Sequence, residues 1–480
     1  PHCHTRAVTE RCRPHCHTRA VTEQYRPHCH KTCRPPCHTS PPARAYFDHA
    51  ATTPLRPEAL DAMLPWLTDR FGNADTLYQE GKQARQALED ARATLARHIG
   101  ASPTEVVFTS GGTEANNALI AGIVRAVRTG RGREKGGNHL VAGAFEHHAV
   151  LEPVQALRRE GYETSLVRPT RDGFVTPTAL AAALRPDTVL ASVMLAQNEV
   201  GTVQPIASLG RLAHGNGTLL HTDAVQALGK CALDVGALGV DAASFSAHKI
   251  GGPAGVGAFF LKRQTPFASM QLGGGQEGGR RSGTPDVAGA VGFARALELA
   301  EAEHAQESVR LAALRDHLAA SLLALDERIS LTVPLDGGTQ RDEDGAAGGG
   351  AGGGPVGAAG GANDRGVAAA VAAAGGGAAH GAAGGGAAPG TPAAAHLPGM
   401  LSILVAGFES ETLLLRLDRA GFALSGGSAC STGSLDPSHV LLSLGIPRNK
   451  AQGVLRISLG HGNTREQADA FVSALAAALR

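Results

Sequence analysis

The chain of 480 residues is poor in aromatics, at 4%, with one Trp, four Tyr and four Met. It has no uncharged apolar run of about 18 residues, the length a membrane-spanning helix needs. No secretory signal pattern stands out either, so a cytoplasmic protein with no membrane partner is expected. Charge of one sign is lacking overall, since the formal net charge is +1. That balance hides an asymmetry. Residues 1–45 carry eight Lys/Arg against two Glu, a surplus of six, which leaves the rest at about five negative by subtraction. An acidic body gives no footing for nucleic acid as the main partner. Cysteine is scarce where it would matter for disulfides. Six of the eight (Cys3, Cys12, Cys16, Cys29, Cys33 and Cys37) lie in the first 37 residues, and only Cys231 and Cys430 remain for the body. Two thiols in so long a chain fit a reduced compartment rather than a disulfide scaffold.

What is present falls into distinct stretches. Residues 1–44 repeat "PHCHTRAVTE" from Pro1 and Pro14, with His-Cys-His triplets every 13 residues. The spacing matches no structural zinc pattern and the apolar periodicity is weak, so a disordered tail is expected. From "AYFDHAATTP" to about residue 300, β-rich runs such as "EVVFTS", "HLVAGA", "TVLASVML", "TLLHTDA" and "AASFSAH" alternate with helical segments. That alternation predicts an α/β layer structure on a largely parallel sheet. A long amphipathic helix is expected near 287–325. Between 345 and 395, forty of 51 residues are Gly or Ala. Such a stretch cannot bury enough side chain to offset its ordering entropy, so a flexible surface insertion over 337–395 is expected.

Chemistry-bearing residues collect at predicted strand ends. Lys249 in "SFSAHKIGG" and Asp223 in "HTDAVQ" both end a strand, where sites of α/β sheets gather. A lysine can form a Schiff base with pyridoxal phosphate, and a carboxylate can keep that cofactor's pyridine nitrogen protonated. "FTSGGTEANN" runs from a strand through Gly111 and Gly112 into a helix whose first N–H groups suit a phosphate. "FEHHAV" offers His147 or His148 to stack on a ring and move protons, and "AQNEVG" offers Asn198 as a hydrogen-bonding partner.

Taken in order, "YFDHAATTP", "FTSGGTEANN", "EHHAVLEP", "NEVGTVQPI", "HTDAVQALGK", "SFSAHKIGGPAGVG", "GGGQEGGRRSGTPD", "SGGSACSTGSLDP" and "VLRISLG" resemble the cysteine desulfurases, class V of the fold-type I pyridoxal phosphate enzymes. The loop around Cys430 resembles the NifS/IscS branch. The resemblance implies a large cofactor-binding domain over 58–299, and a smaller α/β domain combining 45–57 with 300–480. It implies Lys249 as the Schiff-base lysine, His147 stacked on the ring, Asp223 at the pyridinium, and Gln226 and Asn198 near the ring oxygen. Gly112, Thr113, Ser246 and His248 would hold the phosphate. Thr284 would reach the phosphate of a second subunit, which implies a homodimer. Arg456, assisted by Asn198, would take the carboxylate of the substrate L-cysteine.

The same resemblance makes Cys430 the acceptor of sulfur as a persulfide, with Lys249 removing the α-proton and alanine released. The sulfur would pass to an acceptor or iron–sulfur scaffold protein, for cluster assembly or tRNA thiolation. No resident metal is implied, beyond transient ligation of an iron–sulfur cluster by Cys430. Cys231 reads as a packing residue. The sequence departs from the family pattern at Ala74 and Tyr78 (commonly Pro and His), and at Gly278 and His461 (commonly Arg). A selenocysteine lyase, an aminotransferase and a non-catalytic metal-binding homologue are the rival readings. The Cys430 loop argues against the aminotransferase, and intact Lys249, Asp223 and Arg456 argue against the non-catalytic homologue.

Overall fold

The computed structural model describes residues 44–128, 136–336, 396–427 and 436–480. The His/Cys repeat at 1–43, the insertion at 337–395 and Cys430 lie outside these ranges. The chain begins with β1 (Ala45–Tyr46), α1 (Pro57–Leu67), α2 (Gln79–Ile99), β2 (Val106–Thr109), α3 (Gly112–Arg128), β3 (His139–Gly143), α4 (His148–Arg159) and β4 (Glu163–Val167). It continues through α5 (Pro177–Ala183), β5 (Thr188–Ser192), α6 (Ile206–Gly215), β6 (Leu219–Asp223), α7 (Val235–Leu238), β7 (Ala242–Ser246) and β8 (Gly257–Leu261). Then come α8 (Val287–Leu325), β9 (Ile329–Leu331), β10 (Met400–Val405), α9 (Ser410–Arg419), β11 (Phe422–Ala423), α10 (His439–Ser443), α11 (Arg448–Ala451), β12 (Val454–Ser458) and α12 (Arg465–Ala478).

Seven strands form one sheet in the order β2-β8-β7-β6-β5-β3-β4. Pairings from β7 through β4 are parallel, while β8 runs antiparallel to both β7 and β2. Every residue of β2, β3, β5, β7 and β8 is buried. Helices cover both faces, which is why these strands read as continuous apolar runs rather than alternating ones. On one face α3 and α4 pack Leu119, Ile123 and Val154 onto Val107, Leu140 and Phe259. On the other, α2, α6 and α8 pack Leu95, Leu209 and Phe293 onto Val106, Val141 and Phe245. A second sheet, β12-β10-β9, and the parallel pair β1-β11 enclose a separate core. There Phe47, Phe422 and Phe471 meet with ring centroids 5.4–5.8 Å apart.

Helix α8 matches the expected 287–325 span and joins the two cores. Phe293, Leu297 and Ala300 pack on the large sheet, whereas Leu314, Leu318 and Leu322 pack on the smaller one. Among the described residues no helix is long and apolar enough to cross a membrane.

Burial also neutralises histidines. His221, enclosed in β6, exchanges hydrogen bonds with Ser192 Oγ (2.8 Å) and Ser244 Oγ (3.1 Å). Burial pushes its pKa down from 6.5 to about 3. The unfolded chain protonates this ring below about pH 6.5 and the fold does not, so stability is lost as pH falls from there. Burial of Glu146, raised well above 4.5, acts in the opposite sense. The informative quantity is therefore a difference between variants. In melts from pH 7.5 to 5, His221→Gln should show a shallower acid loss than the wild type. The gap should reach about 2 kcal/mol at pH 5. Equal slopes would contradict the neutral-ring account.

Candidate active site

The carboxyl ends of parallel strands open into one cavity of about 240 Å³. Asp223 ends β6, and Ser246 ends the neighbouring β7, whose 3₁₀ turn Ala247–Lys249 carries Lys249 into the wall. Lys249 Nζ donates to the carbonyls of Ala50 and Ala51, both at 2.6 Å. The Asp223 carboxylate accepts from Asn116 Nδ2 (2.6 Å) on one oxygen and from the Val225 amide (3.0 Å) on the other.

The remaining sides come from helix starts and loops. Helix α3 begins at Gly112, where an added Cβ would lie 2.6 Å from Val225 Cγ2, so any side chain there would have to displace Val225. Glu114 in its first turn accepts from the Ser110 amide and from Arg281. Burial raises the Glu114 carboxyl, but these donors outweigh it and hold the carboxyl below its usual value. His147 caps α4, its Nδ1 accepting from the Ala149 amide at 3.0 Å. A neutral ring so bonded carries its proton on Nε2. Burial lowers its pKa, while Asp223 draws it up and Lys249 pushes it down.

Arg456 on β12 is fully buried. Its Nη2 donates to Asp48 (2.7 Å) and its Nη1 to the Asn198 carbonyl (3.0 Å), leaving Nε without a partner. Two of the five guanidinium N–H donors are thus used, and three remain for a substrate carboxylate. Gln226 is likewise engaged, its amide donating to the Ala50 carbonyl and accepting from Lys230. His248 Nδ1 bonds Thr52 Oγ1 at 3.0 Å, and burial with Lys249 and Lys230 lowers its pKa to about 4.

The cavity brings together Gly112, Thr113, His147, Asn198, Asp223, Gln226, Ser246, His248, Lys249 and Arg456. His148 does not line the cavity, and its ring meets that of His439 at a centroid distance of 4.7 Å, tilted by 52°. Thr284 is exposed and does not line the cavity of its own chain. Its loop is pinned by the nearly buried Glu277, which accepts from Arg92 (2.5 and 2.8 Å) and the Phe108 amide. Cys430 lies outside the described residues, but the chain on both sides of it is anchored here. Gly427 lies against Glu199, and Ser438 Oγ donates to Glu199 Oε2 at 2.5 Å. Cys231 is a packing residue whose thiol burial pushes up to about 12.

Sequence reasoning passed over Asn116, Asp48, Glu146 and Glu199. Each stood inside a quoted motif, yet its role depends on a partner at least 48 residues away, as in Asp48–Arg456, Asn116–Asp223 and Glu146–Met194. The residues present fit pyridoxal phosphate. Asn116 Oδ1, Asn198 Oδ1 and Arg456 Nε are buried polar atoms without partners on the cavity wall. Asp223, Lys249 and the start of α3 complete a donor and acceptor set for a ring, an aldehyde and a phosphate.

The model of the aminotransferase class-V family matches residues 45–336 and 386–471. The cysteine desulfurase IscS of Dictyoglomus turgidum is 38% identical over 421 residues, covering 88% of this chain and 91% of that protein. The IscS-like cysteine desulfurase of Mycobacterium tuberculosis is 37% identical over 438 residues, covering 91% and 96%. A solved NifS-like protein is 30% identical with a TM-score of 0.73, covering 91% of this chain and 99% of its own.

The Asp48–Arg456 pair gives a direct test of the site's construction. Asp48→Ala leaves a buried guanidinium without its carboxylate and should cost about 3 kcal/mol in denaturant unfolding. Combining Asp48→Leu with Arg456→Met should recover at least half of that loss. A single substitution costing under about 1 kcal/mol would contradict the burial argument.

Proposed function

We infer how the site works from the family to which the chain belongs: it is a member of the class-V aminotransferases and a pyridoxal-phosphate-dependent cysteine desulfurase. The substrate is L-cysteine, the products are alanine and a persulfide on Cys430, and the sulfur passes on to an acceptor or iron–sulfur scaffold protein. Its use is cluster assembly or tRNA thiolation. The observation that carries this reading is the joining, in one cavity, of Lys249, Asp223, His147 and Arg456; Gly427 and Ser438, on either side of the segment holding Cys430, both meet Glu199, the neighbour in sequence of the cavity-lining Asn198.

The bound cofactor supplies a ring that withdraws electrons from the substrate α-carbon. The chain's residues do the rest. Asp223, held by Asn116 and the Val225 amide, would keep a proton on the pyridine nitrogen. Gly112, Thr113, Ser246 and His248 would hold the phosphate, and the neutral His147 would cover the ring. Gln226 and Asn198 would face the ring oxygen. Arg456 and Asn198 orient the substrate carboxylate. Lys249 leaves its carbonyl partners and moves the α-proton. The Cys430 thiolate, the reactive form of the thiol, attacks the substrate sulfur. An S–S bond forms, the substrate Cβ–S bond breaks, and protonation at carbon completes alanine.

A homodimer completes the reading, with Thr284 of each chain reaching the other's phosphate. Support comes from the exposed apolar side chains Leu60, Leu64, Leu67 and Phe71, with Met270 and Leu272 near the Thr284 loop. Exposed apolar groups in such number mark an association surface. The dimer should appear as twice the chain mass in light scattering, and a monomer at micromolar concentration would contradict it.

Purified protein given pyridoxal phosphate and L-cysteine should release alanine and accumulate persulfide in step. Cys430→Ala should lower both at least 100-fold. Alanine made undiminished by Cys430→Ala would remove Cys430 as acceptor and favour a lyase.

A further inference from the structure

A second cavity, about 250 Å³, lies behind Ala50 and Lys249, which also line the first. Helix α8, the segment 53–57 and the stretches 397–400 and 458–461 enclose it. Its walls are largely apolar, with Ile250, Ala300, Leu311, Leu397, Met400 and Leu459 facing in. Two acidic residues line it, and each is already matched by a cation. Glu303 is held by both Arg56 nitrogens (2.8 and 2.7 Å) and Glu307 by Arg310 (2.8 and 2.7 Å).

Lys230 is different. Its Nζ donates to Gln226 Oε1 at 3.2 Å, and among the described residues no carboxylate lies within 4 Å of it. An ammonium has three donors, so two are open to a ligand. His304, also on the wall, has a buried Nε2 with no partner. Burial, with Lys249 nearby, lowers the Lys230 ammonium to about 7, as expected of a cation lacking a counter-charge.

We propose that this cavity is a binding site for a small aliphatic carboxylate, its charged end on Lys230 and its alkyl part along the α8 wall. One unmatched ammonium suits a monoanion, whereas a phosphate dianion would call for further cationic donors. The apolar walls select a hydrocarbon tail. The site adjoins the catalytic one through a hydrogen-bonded chain. Lys230 donates to Gln226, Gln226 donates to the Ala50 carbonyl, and that same carbonyl accepts from Lys249. A ligand on Lys230 therefore competes for the group that holds Gln226.

The probe is hexanoate, titrated calorimetrically into the holoenzyme at pH 6.5. One saturable site per chain is expected, with a dissociation constant on the order of 1 mM. Lys230→Met should weaken it more than tenfold. Because Lys230 also touches Gln226, a second variant is needed. Ser308→Leu narrows the cavity from partly exposed α8 and should weaken binding severalfold. Hexylamine, equal in length and opposite in charge, should not bind. The proposal is overturned if hexanoate gives no saturable heat, if Lys230→Met binds it undiminished, if Ser308→Leu leaves affinity unchanged, or if hexylamine binds equally.

Discussion

The site depends on one short crossing segment, residues 47–53. Asp48 holds Arg456 and accepts from Ser425 Oγ at 2.6 Å. The Ala50 amide donates to Ser458 Oγ, and the Ala50 carbonyl accepts from both Gln226 and Lys249. Thr52 and Thr53 fix His248 and Gly251 beside the lysine turn. These bonds tie residues roughly 200 and 400 positions apart in sequence. They are made where water is scarce, so each is stronger than at the surface and each loss leaves a buried group unmatched. The seven-stranded sheet supplies a row of strand ends; this segment converts the row into an enclosed cavity.

Low polarity around that cavity sets its electrostatics. His49, His221, His248 and His396 are all held neutral by burial. Burial likewise raises Glu146 and Glu199, the latter opposed by Ser438 and Arg456. In the proposed reading, Asp223, Lys249 and Arg456 are the groups that address cofactor and substrate. A neutral His147 with its proton on Nε2 can donate a hydrogen bond from that atom without the cost of an imidazolium in a dry site.

Much of this was legible in the sequence because it depends on local pattern. The buried strands β2, β3, β5, β6 and β7 announce themselves as β-rich runs, and α8 as a sustained helical period. Lys249, Asp223 and His147 stand at strand ends or a helix start, where chemistry is expected. Other features carried no local signal. Strand β4 is an edge strand with exposed Leu166, so its pattern is weak. The engagement of Gln226 with Ala50, and of Arg456 with Asp48, depends on contacts that only the fold creates. Departures from the family pattern prove locally accommodated. Gly278 adopts φ +63, a conformation open to glycine, and Ala74 is buried with its carbonyl bonded to Arg85. His461 faces Glu303 and Glu307 at 3.8 and 3.9 Å.

The central claim is that Lys249, held by the carbonyls of residues 50 and 51, is the lysine that carries the cofactor. The most direct measurement is borohydride reduction of the purified holoenzyme, followed by peptide mass spectrometry. The account predicts a phosphopyridoxyl group on Lys249 alone. The group on Lys230, the other lysine beside this cavity, or on no lysine at all, would contradict it.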